Sequence, residues 1–436
     1  MSSSTDAANI EQTFGDEGAP ASASASGPVA RKDRIDSLDF IRGIAVMGIL
    51  AANIVAFGQP FAAYMYPDAF LTEHGPTSDW MLVGQYVLID NKMRGLFTLL
   101  FGAGMYLFME RAWARGSTRW LQVWRLAILL VFGLIHFFLI WMGDILLYYA
   151  LSGFLVVAML RWSAKTQLGI GLAGYLGGAL FYAAFVSMPY LIAETSMGEQ
   201  NVWAESRTAM QEGMDIALAD GEIETELTIA GDYAGLVEHR LAEHGTDPLT
   251  NLGLFIWETL PLMLIGVALY RLGFFNGGYS RAGLVRWGWI GLIVGGAMYL
   301  ALGMWVKSVG FTYYAMLAVY VAWSPIPQLI MVLGMAALMV AFSPAWTGWL
   351  AERVRAAGRA AFTNYLGTSI VMMFLMHGWA LGLFGELNRP MLYLLTLGMW
   401  VLMLAWSKPW LDRYRYGPLE WLWRCLTYRK LFPLKR

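Results

Sequence analysis

Thiol chemistry is nearly absent from this chain. One cysteine, Cys425, stands among 436 residues, so neither an intrachain disulfide framework nor a thiolate metal site can be built. Charge is scarce as well: Asp, Glu, Lys and Arg make up 14% of the chain, against about a quarter in a soluble domain. The first thirty residues, rich in Ser, Ala and Gly, lack both the basic segment and the apolar core of a signal peptide. Their apolar surface is too small to offset the cost of ordering, and residues 1–33 are expected to be a disordered tail. Also missing are a P-loop, a dinucleotide fingerprint, a Gly-x-Ser-x-Gly elbow and a His-Glu-x-x-His site. No metal site and no nucleic-acid partner is expected. The lack of any internal repeat removes the inverted-repeat signature of many secondary transporters.

Apolar sequence fills the space. Hydrophobic residues are 58% of the chain, in windows of about 18 or more, each able to span about 30 Å as a helix. The runs are continuous rather than alternating, which argues against a β-barrel. The expected fold is all-α: a polytopic transmembrane bundle of about ten helices in contact with the lipid bilayer. The ten lie at 39–57, 93–110, 124–142, 145–160, 168–187, 254–271, 287–306, 326–342, 362–382 and 390–406.

Cations then orient the bundle. Of the 30 Lys and Arg, 24 fall in the N-terminal flank, in alternate connections and in the tail. By the positive-inside rule that side is the cytoplasm, with both termini on it, in a bacterial inner membrane. The same count favours a single span from about Ile326, with Phe311–Trp323 at or dipping into the outer face. Two spans there would send Arg353, Arg355 and Arg359 outside. The chain divides into a five-helix half (34–187), an outer loop (188–252), a second five-helix half (253–410) and a basic tail (411–436). The outer loop holds thirteen Asp and Glu against Arg207 and Arg240 and reads as a small helical acidic cap, over a cavity or as a tolerated insertion.

The run Gly133-Leu-Ile-His-Phe-Phe-Leu-Ile-Trp-Met-Gly-Asp144 places His136 and Asp144 in membrane-length apolar sequence. An ionisable group at such depth is a functional-site hypothesis by default. On an unbroken helix the two would stand about 12 Å apart, so direct pairing needs a fold-back at Gly143, or else separate partners. Lys92, Arg94 and Glu258 are the nearest offered, although Lys92 and Arg94 could equally snorkel to the interface. His377, beside Gly378, is either a further pocket residue or an interfacial anchor. At the other face Asp39 and Arg42 share one side of a helix at i, i+3. Arg111, Arg115 and Arg119 recur every four residues, a stripe suited to anionic headgroups or to the phosphates of a cytosolic cofactor.

Four segments together resemble one family: Leu38-Asp-Phe-Ile-Arg-Gly43 with Asn53 following; Asp90-Asn-Lys-Met-Arg-Gly-Leu-Phe-Thr-Leu-Leu-Phe-Gly102; Gly133–Ala150; and the pair Gly358-Arg-Ala-Ala-Phe-Thr-Asn364-Tyr365 and Gly417-Pro-Leu-Glu-Trp-Leu-Trp-Arg-Cys-Leu-Thr427. They are similar to the bacterial YeiB-like proteins, whose C-terminal half is the domain of unknown function 418. That resemblance extends distantly to transmembrane acyltransferases, which pass acyl groups from cytosolic acyl-CoA to acceptors across the membrane. Their Arg-x10-His pattern on the first helix is broken here, because Arg42 is followed by Asn53 at that spacing.

The leading expectation is therefore an acyltransferase. His136 would act as base or acyl carrier, with Asp144 orienting it. Arg42, Arg111, Arg115, Arg119 and Arg125 would hold the phosphates of acyl-CoA, acetyl-CoA for instance, and the acceptor would be a glycan, lipid or small molecule at the outer face. Asp39, Asn53, Lys92, Arg94, Glu258, Asn364 and His377 are the accompanying polar positions. The alternative is a transporter using His136, Asp144 and Glu258 as a proton relay. A third reading, a membrane assembly or sensing protein, uses the acidic cap as a partner surface.

Overall fold

A computed structural model describes residues 36–436; the expected tail at 1–33 lies outside the described residues. Helix α1 (Asp36–Gly58) leads through short 3-10 turns to α2 (Pro76–Leu88) and α3 (Lys92–Trp113). The pair α4 (Trp120–Ile135) and α5 (Leu146–Met159) is followed by α6 (Ala164–Phe181) and short α7 (Met188–Ala193). Two polar helices come next, α8 (Ala204–Ala230) and α9 (Tyr233–Glu243), before the long α10 (Asp247–Arg271) and α11 (Arg281–Ser308). Then follow α12 (Tyr313–Leu317), α13 (Pro325–Phe342), α14 (Trp349–Arg359), α15 (Ala361–Met376), α16 (Arg389–Arg413) and α17 (Pro418–Tyr428). Extended pairing among the described residues is limited to an isolated bridge between Tyr414 and Lys435. The fold is an all-helical polytopic bundle.

Among the described residues, seven helical stretches are long and apolar enough to cross a membrane: 36–58, 120–140, 164–193, 247–271, 281–308, 325–342 and 389–413. They coincide with seven of the ten expected spans. The other three are α3, α5 and α15. Helix α3 has 22 residues but carries charge at both ends, Lys92 and Arg94 at one and Glu110 and Arg111 at the other. Helices α5 and α15 have 14 and 16 residues, about 21 and 24 Å of rise, short of the hydrocarbon thickness. Helix α15 ends, and the turn that leads into α5 lies, at the end covered by α8 and α9. That end is called the capped end below, and the opposite one, where the arginines gather, the basic end.

Residues 311–323 belong to a longer helical run. Helix α12 passes into a π turn, Ala318–Trp323, and Ser324 before α13 is itself helical at φ −71°, ψ −27°. Pro325 and Pro327 lack the N–H an α-helix would use, and the widened turn ahead of them absorbs the mismatch.

Small residues set the helix crossings, as expected where packing rather than water drives association. A Cβ at Gly102 would lie 2.0 Å from the Met263 carbonyl oxygen, and one at Gly266 would lie 1.9 Å from that of Leu99. Helices α3 and α10 thus meet backbone to backbone. The same holds for α1 and α14, where a Cβ at Gly358 would lie 1.8 Å from the Asp39 oxygen and one at Gly43 would lie 2.1 Å from that of Val354.

The segment 411–436, expected as a tail, is packed. Helix α17 lies against α4, with Trp423 Nε1 donating to the Arg125 carbonyl at 3.0 Å. Its Glu420 closes the start of α15: the carboxylate accepts from the Phe362 and Thr363 N–H groups at 2.8 and 3.1 Å and from the Thr363 hydroxyl. A side chain from another helix here does the work of a local N-cap.

Candidate functional site

The last turn of α4 does not end at a membrane surface. It widens into a π turn, His136–Ile140, and Trp141 is then extended at φ −161°, ψ 127°. The chain reverses inside the protein, which is tolerated at such depth only where the freed backbone groups find partners. They do. The Trp141 N–H donates to the His136 carbonyl at 2.7 Å, the Ile145 N–H to the Tyr365 hydroxyl at 3.2 Å, and the Leu147 N–H to Asp144 Oδ2 at 2.7 Å. Gly133 permits the close return, since a Cβ there would lie 2.6 Å from the Leu147 nitrogen.

The reversal brings Asp144 Oδ1 to 2.7 Å from His136 Nδ1, and both side chains are wholly buried. A carboxylate only accepts, so Nδ1 carries the proton and Nε2 presents its lone pair. Among the described residues Nε2 has no hydrogen-bond partner. The arrangement is an oriented, desolvated imidazole base, with Asp144 serving at once as its partner and as the cap of α5.

Two aromatic rings separate this base from open space. Tyr365 lies 5.2 Å from the imidazole and Trp141 lies 6.3 Å from it, centroid to centroid. Trp141 stacks on Phe57 at 4.1 Å and lines a cavity of about 50 Å³ with Gln59, Glu224, Arg240, Ser369 and His377. Tyr365 lines a smaller one of about 10 Å³ with Asn53, and Phe57 and Ser369 border both. The roof of the larger cavity comes from α8 and α9, where Arg240 Nε meets Glu224 at 2.8 Å. The same hairpin touches the π turn through the Tyr233 hydroxyl, which donates to the Leu139 carbonyl at 2.7 Å. His377, in the loop after α15, has an unpartnered Nδ1. Burial, and then the nearby Arg240 charge, push its imidazole down to about 4.

Lys92, Arg94 and Glu258, offered as partners for the dyad, are engaged elsewhere. Arg94 pairs with Glu258 at 2.8 Å, and Gln328 donates to the other carboxylate oxygen at 2.8 Å. Lys92 donates to the Tyr86 carbonyl and lies over the Tyr299 ring at 3.2 Å. The sequence reading missed two members of this region. Asp90, fully buried, accepts from Gln85 and Tyr320 at 3.0 and 2.7 Å, and Arg389 donates to Gln85 at 3.0 Å. The signal for Asp90 was its place just ahead of Lys92 and Arg94. Arg389 carried none beyond being a cation off the basic side.

The five arginines expected to hold acyl-CoA, Arg42, Arg111, Arg115, Arg119 and Arg125, have separate surroundings. Arg42 sits 3.6 Å from Asp39 and packs over Gly104 of α3. Arg125 lies between the Phe108 and Trp423 rings, at 4.3 and 4.2 Å, in the electrostatic range of Arg42 and of Arg424. Arg115 is exposed, Arg119 reaches the Ala158 carbonyl at the end of α5, and Arg111 is half-buried. The cluster is thus Arg42, Arg125 and Arg424, the last unforeseen from spacing. Asn364 is a packing peg rather than a pocket residue: it donates to the Ala357 carbonyl and to Ser407, and accepts from Trp406 Nε1.

Among the described residues, one group has the make-up of a metal-ligand set: Asp220, His239 and His244, in the cap hairpin.

Comparison with known proteins adds sequence relatives. The family described as "Protein of unknown function (DUF418)" matches residues 269–430. The uncharacterized protein YeiB of Escherichia coli (strain K12) is 30% identical over 410 residues, 92% of this chain and 98% of the relative. The uncharacterized protein YxaH of Bacillus subtilis (strain 168) is 29% identical, over 94% of this chain and 98% of its own length. An uncharacterized 39.9 kDa protein of Bacillus acidopullulyticus, from the amylase 3' region, is 25% identical over 93% and 97%. No solved structure matches.

Proposed function

This chain belongs to the DUF418 family of YeiB-like proteins, and from that premise we propose that it is a membrane-embedded acyltransferase working at the His136–Asp144 dyad. One observation carries the reading: a buried imidazole whose Nδ1 is held by a carboxylate at 2.7 Å while Nε2 makes no hydrogen bond among the described residues. That is the preparation a general base needs. Nε2 removes the proton of an acceptor hydroxyl or amine as its heteroatom attacks the thioester carbonyl. The C–S bond then breaks, and the imidazolium returns its proton to the departing CoA thiolate. Asp144 holds the ring and stabilises its charged form.

The donor side of the reading rests on Arg42, Arg125 and Arg424, a cationic group with Asp39 as the paired carboxylate of Arg42. Such a group suits the phosphates of acyl-CoA. From Arg125 to His136 the rise along α4 is about 16 Å, the direction in which an extended pantetheine arm would run from the cytoplasm of a bacterial inner membrane. The acceptor, a glycan, lipid or small molecule, would enter beneath the cap. A cavity of about 50 Å³ holds only a few waters, so Trp141 and Tyr365 must swing for the reactants to meet.

Calorimetric binding of acetyl-CoA to the detergent-purified protein tests this. Saturable binding lost in Arg125→Glu and Arg424→Glu, and retained in the exposed Arg115→Glu, is expected. Failure of any acyl-CoA to bind the folded protein would sink the reading. The Arg94–Glu258–Gln328 group favours a second one, proton-coupled transport. Gradient-driven uptake by proteoliposomes, abolished by Glu258→Gln and unaffected by the arginine reversals, would select it.

A further inference from the structure

The cap hairpin turns at Gly231, in the left-handed region at φ 74°, and Asp232 caps α9 through the Gly235 N–H. This turn lays α9 back along α8 and sets three ligand-type side chains together. Asp220 of α8 meets two imidazoles: His239 Nε2 lies 2.9 Å from its Oδ1, and His244 Nε2 lies 3.0 Å from its Oδ2. We infer that Asp220, His239 and His244 bind a divalent transition-metal ion of the zinc class, with a fourth position open to solvent.

The lone pairs carry the argument. His244 Nδ1 lies 3.0 Å from Asp247 Oδ2 at the start of α10, and a carboxylate only accepts, so a neutral His244 ring carries its proton on Nδ1. Nε2 of that ring is then an unprotonated ligand atom that lies 3.0 Å from Asp220 Oδ2 without being aligned with it, and it makes no hydrogen bond. A cation seated on the Nε2 lone pair, off the line between the two atoms, would reach both at once. The carboxylate behind a ligating imidazole is the usual outer partner of a metal-bound histidine, fixing the tautomer and raising its basicity. Two imidazoles with one carboxylate are a donor set that zinc accepts, leaving one tetrahedral position for water. The three ligand atoms lie within 4.8 Å of one another, and tetrahedral bonds of about 2.0–2.2 Å set such atoms about 3.4 Å apart, so the widest separation must close by up to about 1.4 Å. All three residues are partly exposed, so an ion can enter from solution.

The position gives the ion a purpose. One turn along α8 from Asp220 is Glu224, and next to His239 on α9 is Arg240; that pair roofs the cavity above the dyad. An ion clamping α8, α9 and the start of α10 would hold the roof in register. This inference does not depend on acyl transfer.

The test uses full-length, tag-free protein stripped with chelator and titrated with Zn²⁺ by calorimetry, with the metal content measured after gel filtration. One equivalent per chain and a raised melting midpoint are expected. Both should vanish in His239→Ala/His244→Ala, whose metal-free melting and elution should match those of the metal-free wild type. Asp247→Asn, which keeps all three ligands, should weaken binding by about 10–100-fold. A wild-type protein that takes up no stoichiometric zinc overturns the inference. So does a double variant that still binds one equivalent, or an Asp247→Asn protein with unchanged affinity.

Discussion

A histidine in apolar surroundings has two nitrogens to place, and here Asp144 takes one while the other is left facing aromatic rings. Because Asp144 also accepts from the Leu147 N–H, its two jobs can be separated. Asp144→Asn keeps an oxygen for Leu147 but loses the charge that orients the base. It should lower acyl-CoA turnover by about 10²–10⁴-fold with little change in melting. Asp144→Ala removes the cap as well and should cost a further 0.5–2 kcal/mol or so of stability. Turnover unaffected by either change would remove the dyad from the chemistry. His377 gives a pH-dependent counterpart. Its pKa is lowered from 6.5 to about 4 in the closed structure, so an opened cap takes up a proton that the closed one refuses. The resulting contribution to cap closure is complete above pH 6.5 and is lost as pH falls towards 4. Hydrogen exchange of residues 221–231, corrected for its intrinsic rate, should accelerate across that window in the wild type and less in His377→Gln. Equal profiles would contradict it. At this scale the sequence showed the presence of His136 and Asp144 but not their pairing. Every residue between them is apolar or glycine, and hydropathy does not register a π turn.

Helices in this bundle are defined by how they cross as much as by how long they are. Helix α14 meets α1 at Gly43 and Gly358, where backbone touches backbone. Gly358→Ala places a methyl group 1.8 Å from the Asp39 oxygen, and no side chain stands there to give way. Separation of the two helices should cost about 1–3 kcal/mol, read as a lowered melting midpoint. Gly367→Ala, one helix on and with nothing within 4 Å, should leave stability unchanged or raise it by up to about 1 kcal/mol through helix propensity. Equal behaviour of the two variants would refute the crossing. The long apolar runs were legible as helices because length and hydrophobicity suffice to mark them. Helices α14 and α17 were not, since each is short and polar on one face, and the Glu420 contact that ties α17 to α15 joins positions 58 residues apart.

The molecule as a whole has one basic and one acidic end, and that asymmetry predicts its orientation. Cys425 is buried, so labelling background is low. Introduced cysteines at exposed Glu212 and Arg115 should differ: in intact cells a membrane-impermeant maleimide should modify the first and spare the second. The reverse pattern would invert the topology. Charge distribution was legible because it acts over the whole chain at once; the buried Asp90–Gln85–Arg389 group was not, because Arg389 lies 304 residues from Gln85 and only the fold unites them. The carboxylate of Glu420 has a consequence in time. Helix α15, which carries Tyr365 to the base, lacks the acceptor for its first N–H groups until residue 420 has been synthesised. Most of the bundle can insert as it emerges from the ribosome, but this helix can lock into place only at the very end of translation, so a stalled or shortened chain would be left with the surroundings of His136 and Asp144 unassembled.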